Sequence, residues 1–123
     1  MESGEGVSVN RAATLAAALL LGGCATPQRS LYAWGSYEEL IYASYARAGN
    51  MPPERQVEAL ELDFQKARAA NQRLPPGWHA HLGYLYSELG KLDQARRELQ
   101  TEKAEFPESA VFADRLMVNL AKP

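Results

Sequence analysis

The chain has one cysteine, Cys24, so it can close no internal disulfide and offers no cysteine-rich zinc site. It has no surplus of cations. Thirteen Lys and Arg stand against fifteen Asp and Glu, a formal net charge of −2, which excludes a nucleic-acid grip built on a basic surface. The apolar stretch at residues 12–23 is too short to cross a bilayer as a permanent helix. No run alternates apolar and polar residues for long enough to make a strand. Seven prolines and nine glycines are too few for a low-complexity chain. What remains is ordinary globular composition, 46% hydrophobic and 23% charged, at a length of 123 residues that suits one domain.

The uncharged stretch suits the core of a signal peptide. Arg11 precedes it and Leu21-Gly22-Gly23-Cys24 closes it. This resembles a bacterial lipoprotein processing site, with cleavage between Gly23 and Cys24 and a lipid on the Cys24 thiol. Residues 1–10 carry Glu2 and Glu5 and no cation, against the usual positive start. The translation start therefore stays open between Met1 and Val9. Ala25, where Asp would signal retention at the inner membrane, implies the outer membrane, periplasmic face. The expected organisation is a leader at 1–23, a tether at 24–35 and a helical domain at 36–123. The eleven residues 25–35 that follow the cysteine reach roughly 40 Å at most, which keeps the domain near its membrane. Leu31-Tyr32-Ala33-Trp34 is apolar for a linker. It either packs back on the first helix pair or serves, through Tyr32 and Trp34, as an aromatic anchor for a partner or the bilayer interface.

From residue 36 the chain reads as all-α. Ser36 and Glu39 are spaced as a capping box, predicting a helix over 37–48 that ends at Gly49. Pro53 is placed to open the next helix, over 54–72, with Val57, Leu60, Phe64, Ala67 and Asn71 on one stripe. Trp78, Leu82, Leu85 and Leu89 mark a helix over 77–89. Leu92, Ala95, Leu99 and Phe106 line the one that stops at Pro107, and Phe112, Leu116 and Leu120 mark a last, capping segment.

Leu82-Gly83, Tyr86, Gly90, Ala95, Leu99 and Pro107 have the spacing of a tetratricopeptide repeat over about 76–109. Gly83 and Ala95 are small where the paired helices cross, Gly90 makes the turn and Pro107 ends the pair. Glu102 stands where a small residue is usual. Ile41, Tyr45 and Gly49 repeat the steps of Leu82, Tyr86 and Gly90, a degenerate earlier copy. The expected architecture is about two antiparallel helical hairpins with a C-terminal cap.

Three segments, Tyr32 to Tyr37, Pro75 to Tyr86 and Glu102 to Ser109, resemble an uncharacterised family of short bacterial lipoproteins with tetratricopeptide-like helices. Its members look like neighbours of lipoproteins similar to the curli export pore. The resemblance implies an envelope complex and supplies no activity.

Candidate chemistry is sparse. His79 and His81 lie two apart, about 200° around a helix, so they do not share a face for a metal. Glu38 with Glu39, and Glu102 with Glu105, are carboxylate pairs on faces read as solvated, and Ser109 has no evident base. No metal and no cofactor is expected beyond the lipid on Cys24. Tyr42, Tyr45, Tyr84 and Tyr86 are either core or partner-facing. Tyr84 is offset from the Trp78-Leu82-Leu85-Leu89 stripe, which makes it the foremost candidate for a concave binding surface. The expected function is a non-enzymatic adaptor or assembly factor in an envelope complex, binding other envelope proteins and able to form homo- or hetero-oligomers. The alternatives are a regulator of peptidoglycan synthesis and, behind it, an enzyme acting on peptidoglycan.

The anchor is testable directly. A mature lipoprotein carries several acyl chains, enough for stable membrane residence. Cys24→Ser is expected to leave the chain uncleaved, or soluble if cleaved elsewhere. Equal membrane recovery of the variant and the wild type after a carbonate wash would refute the lipid assignment.

Overall fold

The computed structural model describes residues 30–46 and 50–120. The expected leader, Cys24 with its cleavage site, and the expected helix stop at Gly49 lie outside them. Among the described residues the regular structure is five α-helices and one 3-10 turn: α1 (Tyr37–Ala46), α2 (Pro53–Ala69), α3 (Trp78–Glu88), α4 (Leu92–Glu105), the turn Pro107–Ser109, and α5 (Ala110–Leu120). The chain is all-α, and no described helix is long and apolar enough to cross a membrane.

The N-terminus of α1 differs from the capping box read in the sequence. The Ser36 hydroxyl does not turn to its own helix. Both it and the Ser36 N–H donate to the Asp63 carboxylate of α2, the amide at 2.6 Å. The carboxylate comes this close because residue 35 is glycine. A Cβ there would overlap Asp63, and its φ of +50° is left-handed. Asp63 is buried, and Lys66 lies 4.0 Å away at the surface.

α2 opens on Pro53, with Glu54 in its first turn and Lys66 and Arg68 in its last, each complementing the helix dipole. It stops earlier than 72. Asn71 does not extend the apolar stripe but takes a left-handed conformation (φ 51°). The Gln72 N–H then reaches back to the Ala67 carbonyl and the Asn71 N–H to Arg68, which closes the helix end. The buried stripe is Gln56, Val57, Leu60, Asp63 and Ala67. Phe64 sits beside it, half-exposed, stacked on Trp78 with centroids 6.1 Å apart and capped by Arg68.

α3 and α4 form the most closely packed pair. Gly90 (φ 71°) terminates α3, with the Lys91 N–H bonded to the Tyr86 carbonyl. Gly83 lies at the crossing. A Cβ on it would sit 3.1 Å from both the Ala95 carbonyl oxygen and Leu99 Cγ. Leu82, Leu85, Tyr86, Ala95 and Leu99 are buried, whereas Leu92, expected on this lining, is exposed.

Glu102 overturns its reading as one of a solvated pair. It is 0% exposed. Its carboxylate accepts the Gly77 N–H at 2.7 Å, the Ala80 N–H at 3.4 Å and the Ser109 hydroxyl at 3.1 Å. Gly77 is the N-cap of α3 and has no side chain with which to cap it. Glu102 therefore makes from α4 both bonds that a local capping box makes, one to the N-cap amide and one to the third helical amide.

The segment before α1 is laid against the domain. The Ala33 N–H donates to the Arg73 carbonyl at 2.8 Å, and Tyr32 pairs with Arg73 in an isolated parallel bridge. Ala33 packs on the core. At the other end α5 buries Ala113 against Ala80 and Leu99 and half-buries Leu116 and Leu120. Phe112, expected in this cap, instead turns outward at 56% exposure.

The α3–α4 crossing yields a paired test. Ala95 is fully buried and Ala104 is exposed on the same helix. Ala95→Leu is expected to cost about 1–3 kcal/mol, enough to lower Tm by several degrees in a domain of this size. Ala104→Leu is expected to leave Tm within about a degree of wild type. Equal melting of the two variants in thermal circular dichroism would contradict this crossing.

Candidate ligand groove

The three odd-numbered helices share one hollow of about 470 Å³. α1 contributes Tyr37, Ile41, Ser44 and Tyr45, α3 contributes Gly77, Ala80, His81 and Tyr84, and α5 contributes Phe112 and Leu116. On each helix these positions are spaced by three or four, so each helix presents one face.

Two polar links hold the walls in place. Gln56 of α2 is buried, and its Oε1 lies 3.3 Å from both Ser44 Oγ on α1 and His81 Nε2 on α3. Its amide nitrogen donates to the Met51 carbonyl at 2.9 Å, which fixes the orientation of the side chain. Glu102 lies behind Tyr37, and together with burial its charge pushes the Tyr37 phenol up to about 12, with burial the larger cause.

The rings of the groove continue into those before α1. Tyr37 meets His81 edge-on at 6.1 Å, and His81 stacks on Tyr84 at 6.4 Å. In the other direction Tyr37 stacks on Trp34 at 6.3 Å, Trp34 meets Tyr32 at 6.4 Å and Tyr32 meets Phe106 at 6.2 Å. Arg73 lies over the Phe106 ring, 5.6 Å from its centre. Six rings thus form an unbroken series from the α4 terminus to the groove.

Among the described residues the charges acting on the rings of the groove are carboxylates. Burial lowers the His81 pKa, with Glu88 pulling weakly the other way, so the imidazole is neutral at pH 7. Tyr84 donates to Glu88 Oε1 at 2.5 Å, and this bond is the main reason that its phenol titrates above the ordinary value. Among the described lining residues there is no Lys or Arg.

The partner-facing candidates read from the sequence separate into three groups. Tyr45, 86% exposed, and Tyr84 line the groove. Tyr32 and Trp34 line a second hollow beside Asp63 and Lys66. Tyr42 is exposed and belongs to neither lining. The sequence reading did not select Tyr37, His81 or Phe112 for this surface. Their signal is present as steps of four, Tyr37-Ile41-Tyr45 and Phe112-Leu116, on helices whose partners were unknown. His79 and His81 turn to different neighbours. His79 Nδ1 lies 2.6 Å from Glu98 Oε2 on α4, and His81 faces Gln56 on α2. Among the described residues no group of three His, Cys, Asp or Glu could hold a metal ion.

No curated protein and no solved structure matches the chain. A family model does. It is described as a domain of unknown function, DUF4810, and it matches residues 31–116, from the segment that bridges to Arg73 through to the groove-lining Leu116 of α5. The chain belongs to that family.

Proposed function

We propose that this chain is a lipid-anchored, non-enzymatic adaptor of the bacterial envelope, with a tetratricopeptide-like body that grips a partner segment in the groove of α1, α3 and α5. The observation that carries the reading is the groove itself. It draws a wall from every odd-numbered helix, and it leaves Tyr45, Tyr84 and Phe112 exposed where a monomer gains nothing by exposing them. Two successive helical pairs, a glycine at the α3–α4 crossing and a terminal helix are the parts such a body needs.

The side chains that most resemble catalytic groups are engaged in packing. Glu102 holds the start of α3, Ser109 donates to Glu102, and His79 faces Glu98. The anchoring rests on Leu21-Gly22-Gly23-Cys24, and placement at the periplasmic face of the outer membrane rests on Ala25. A short tether then presents the groove to neighbouring envelope proteins, in an assembly of the export-pore kind that the family resemblance suggests. The Cys24 lipid is the only group that this reading requires beyond the polypeptide.

Photo-crosslinking in intact cells tests the reading. A benzoylphenylalanine replacing Tyr45 or Tyr84 is expected to give a discrete adduct with another envelope protein. The same group at exposed Gln100 on α4 is expected to give none. Equal adducts at all three positions, or none at 45 and 84, would exclude the groove as the binding surface.

A further inference from the structure

The groove is unusual in what surrounds it. Four aromatic side chains, Tyr37, Tyr45, Tyr84 and Phe112, and the neutral imidazole of His81 open onto one hollow. Among the described residues the ionised groups acting on these rings are acidic: Glu88 beside Tyr84 and His81, and Glu102 behind Tyr37. Ring faces carry partial negative charge, and several around one space attract a cation where one ring does little. An anionic occupant would be repelled by Glu88, and a purely apolar one would leave its carboxylate unused. Glu102 is already satisfied by three donors, but Glu88 is exposed and, among the described residues, takes one bond, from Tyr84, so a second donor can reach it.

We infer that the groove recognises a basic residue, lysine or arginine, on a partner polypeptide, with its cationic head among the rings of Tyr45, His81 and Tyr84 beside Glu88. This rests on the adaptor reading and adds the chemistry of the partner. The choice of a polypeptide over a small cation follows from the lining. Ile41, Ala80 and Leu116 continue the hollow as aliphatic surface, which matches the methylene stem of a long basic side chain. About 470 Å³ also exceeds what a single ammonium group fills.

The test is a titration of the full-length protein, followed by the NMR signals of the Tyr45, His81 and Tyr84 rings. The probes are N-acetyl-arginine amide, N-acetyl-lysine amide, N-acetyl-norleucine amide and choline. The two basic amides are expected to bind about tenfold more tightly than the norleucine amide, which has the stem without the charge. Glu88→Gln, a change at an exposed position, is expected to reduce that preference about threefold or more. Glu105→Gln, on exposed α4 surface, is expected to leave it unchanged. Equal binding of the norleucine amide, or no response from these rings to any probe, overturns the cation assignment. Choline binding more tightly than both basic amides overturns the polypeptide in favour of a quaternary-ammonium headgroup. The adaptor reading fails separately. Adducts at positions 45 and 84, found together with no cation preference, would leave the adaptor standing and this inference refuted.

Discussion

A carboxylate buried at the start of a helix is costly unless hydrogen bonds replace the water it loses. Glu102 accepts three. It reaches from α4 to the first amides of α3 and to the hydroxyl of Ser109. Removing a carboxyl from water costs several kcal/mol, and the return comes from charge-assisted bonds and the positive end of the helix. This one side chain therefore ties together the start of α3, the body of α4 and the turn that launches α5. A glycine N-cap makes the arrangement possible, since Gly77 brings no side chain to compete for the same amides.

The first hairpin uses the same device in a different form. Asp63 on α2 takes the N–H and hydroxyl of Ser36 at the start of α1, and a glycine beside that serine leaves room for it. In both hairpins an acid on the second helix secures the beginning of the first. Both acids lie on the buried side of their helices, where an apolar residue would be the default. The groove-facing helices α1 and α3 are thus held at their N-termini by the helices behind them, and Gln56 adds a bond to each of these two helices. The rings can then face solvent without the walls relying on ring packing for their position.

Much of this was legible in the sequence, and the limits have physical causes. Local signals were sound where the chain acts on itself. Pro53 opens α2, Gly90 closes α3, and the steps of three and four in Trp78-Leu82-Leu85 mark a buried stripe. They misled where a residue 25 or more positions away takes over a local role. Ser36 has a capping box available with Glu39, yet the stronger acceptor is Asp63. Glu102 looks like surface charge, because single-sequence reading assigns acids to water unless a partner is named. Phe112 looked like a cap because its spacing is apolar, but α5 covers the core through the smaller Ala113 and leaves the ring to the groove. Tyr84 was separable from Tyr86 by its offset from the buried stripe, whereas Tyr45, read as the counterpart of buried Tyr86, is exposed. Tyr37 and His81 joined them only once α1 and α3 were placed side by side.

The dependence of the fold on Glu102 can be measured by thermal melting of Glu102→Gln against wild type, with Glu105→Gln as the exposed control. Glutamine keeps the shape but turns an N–H₂ toward amides that need an acceptor. That strands at least one buried donor at about 1–3 kcal/mol, a loss in Tm of roughly 5–15 °C for a domain of this size. The account predicts that loss for Glu102→Gln, together with displaced ring signals from Tyr37 and His81, and no change for Glu105→Gln. A Glu102→Gln protein that melts with the wild type and keeps its groove signals in place would contradict it.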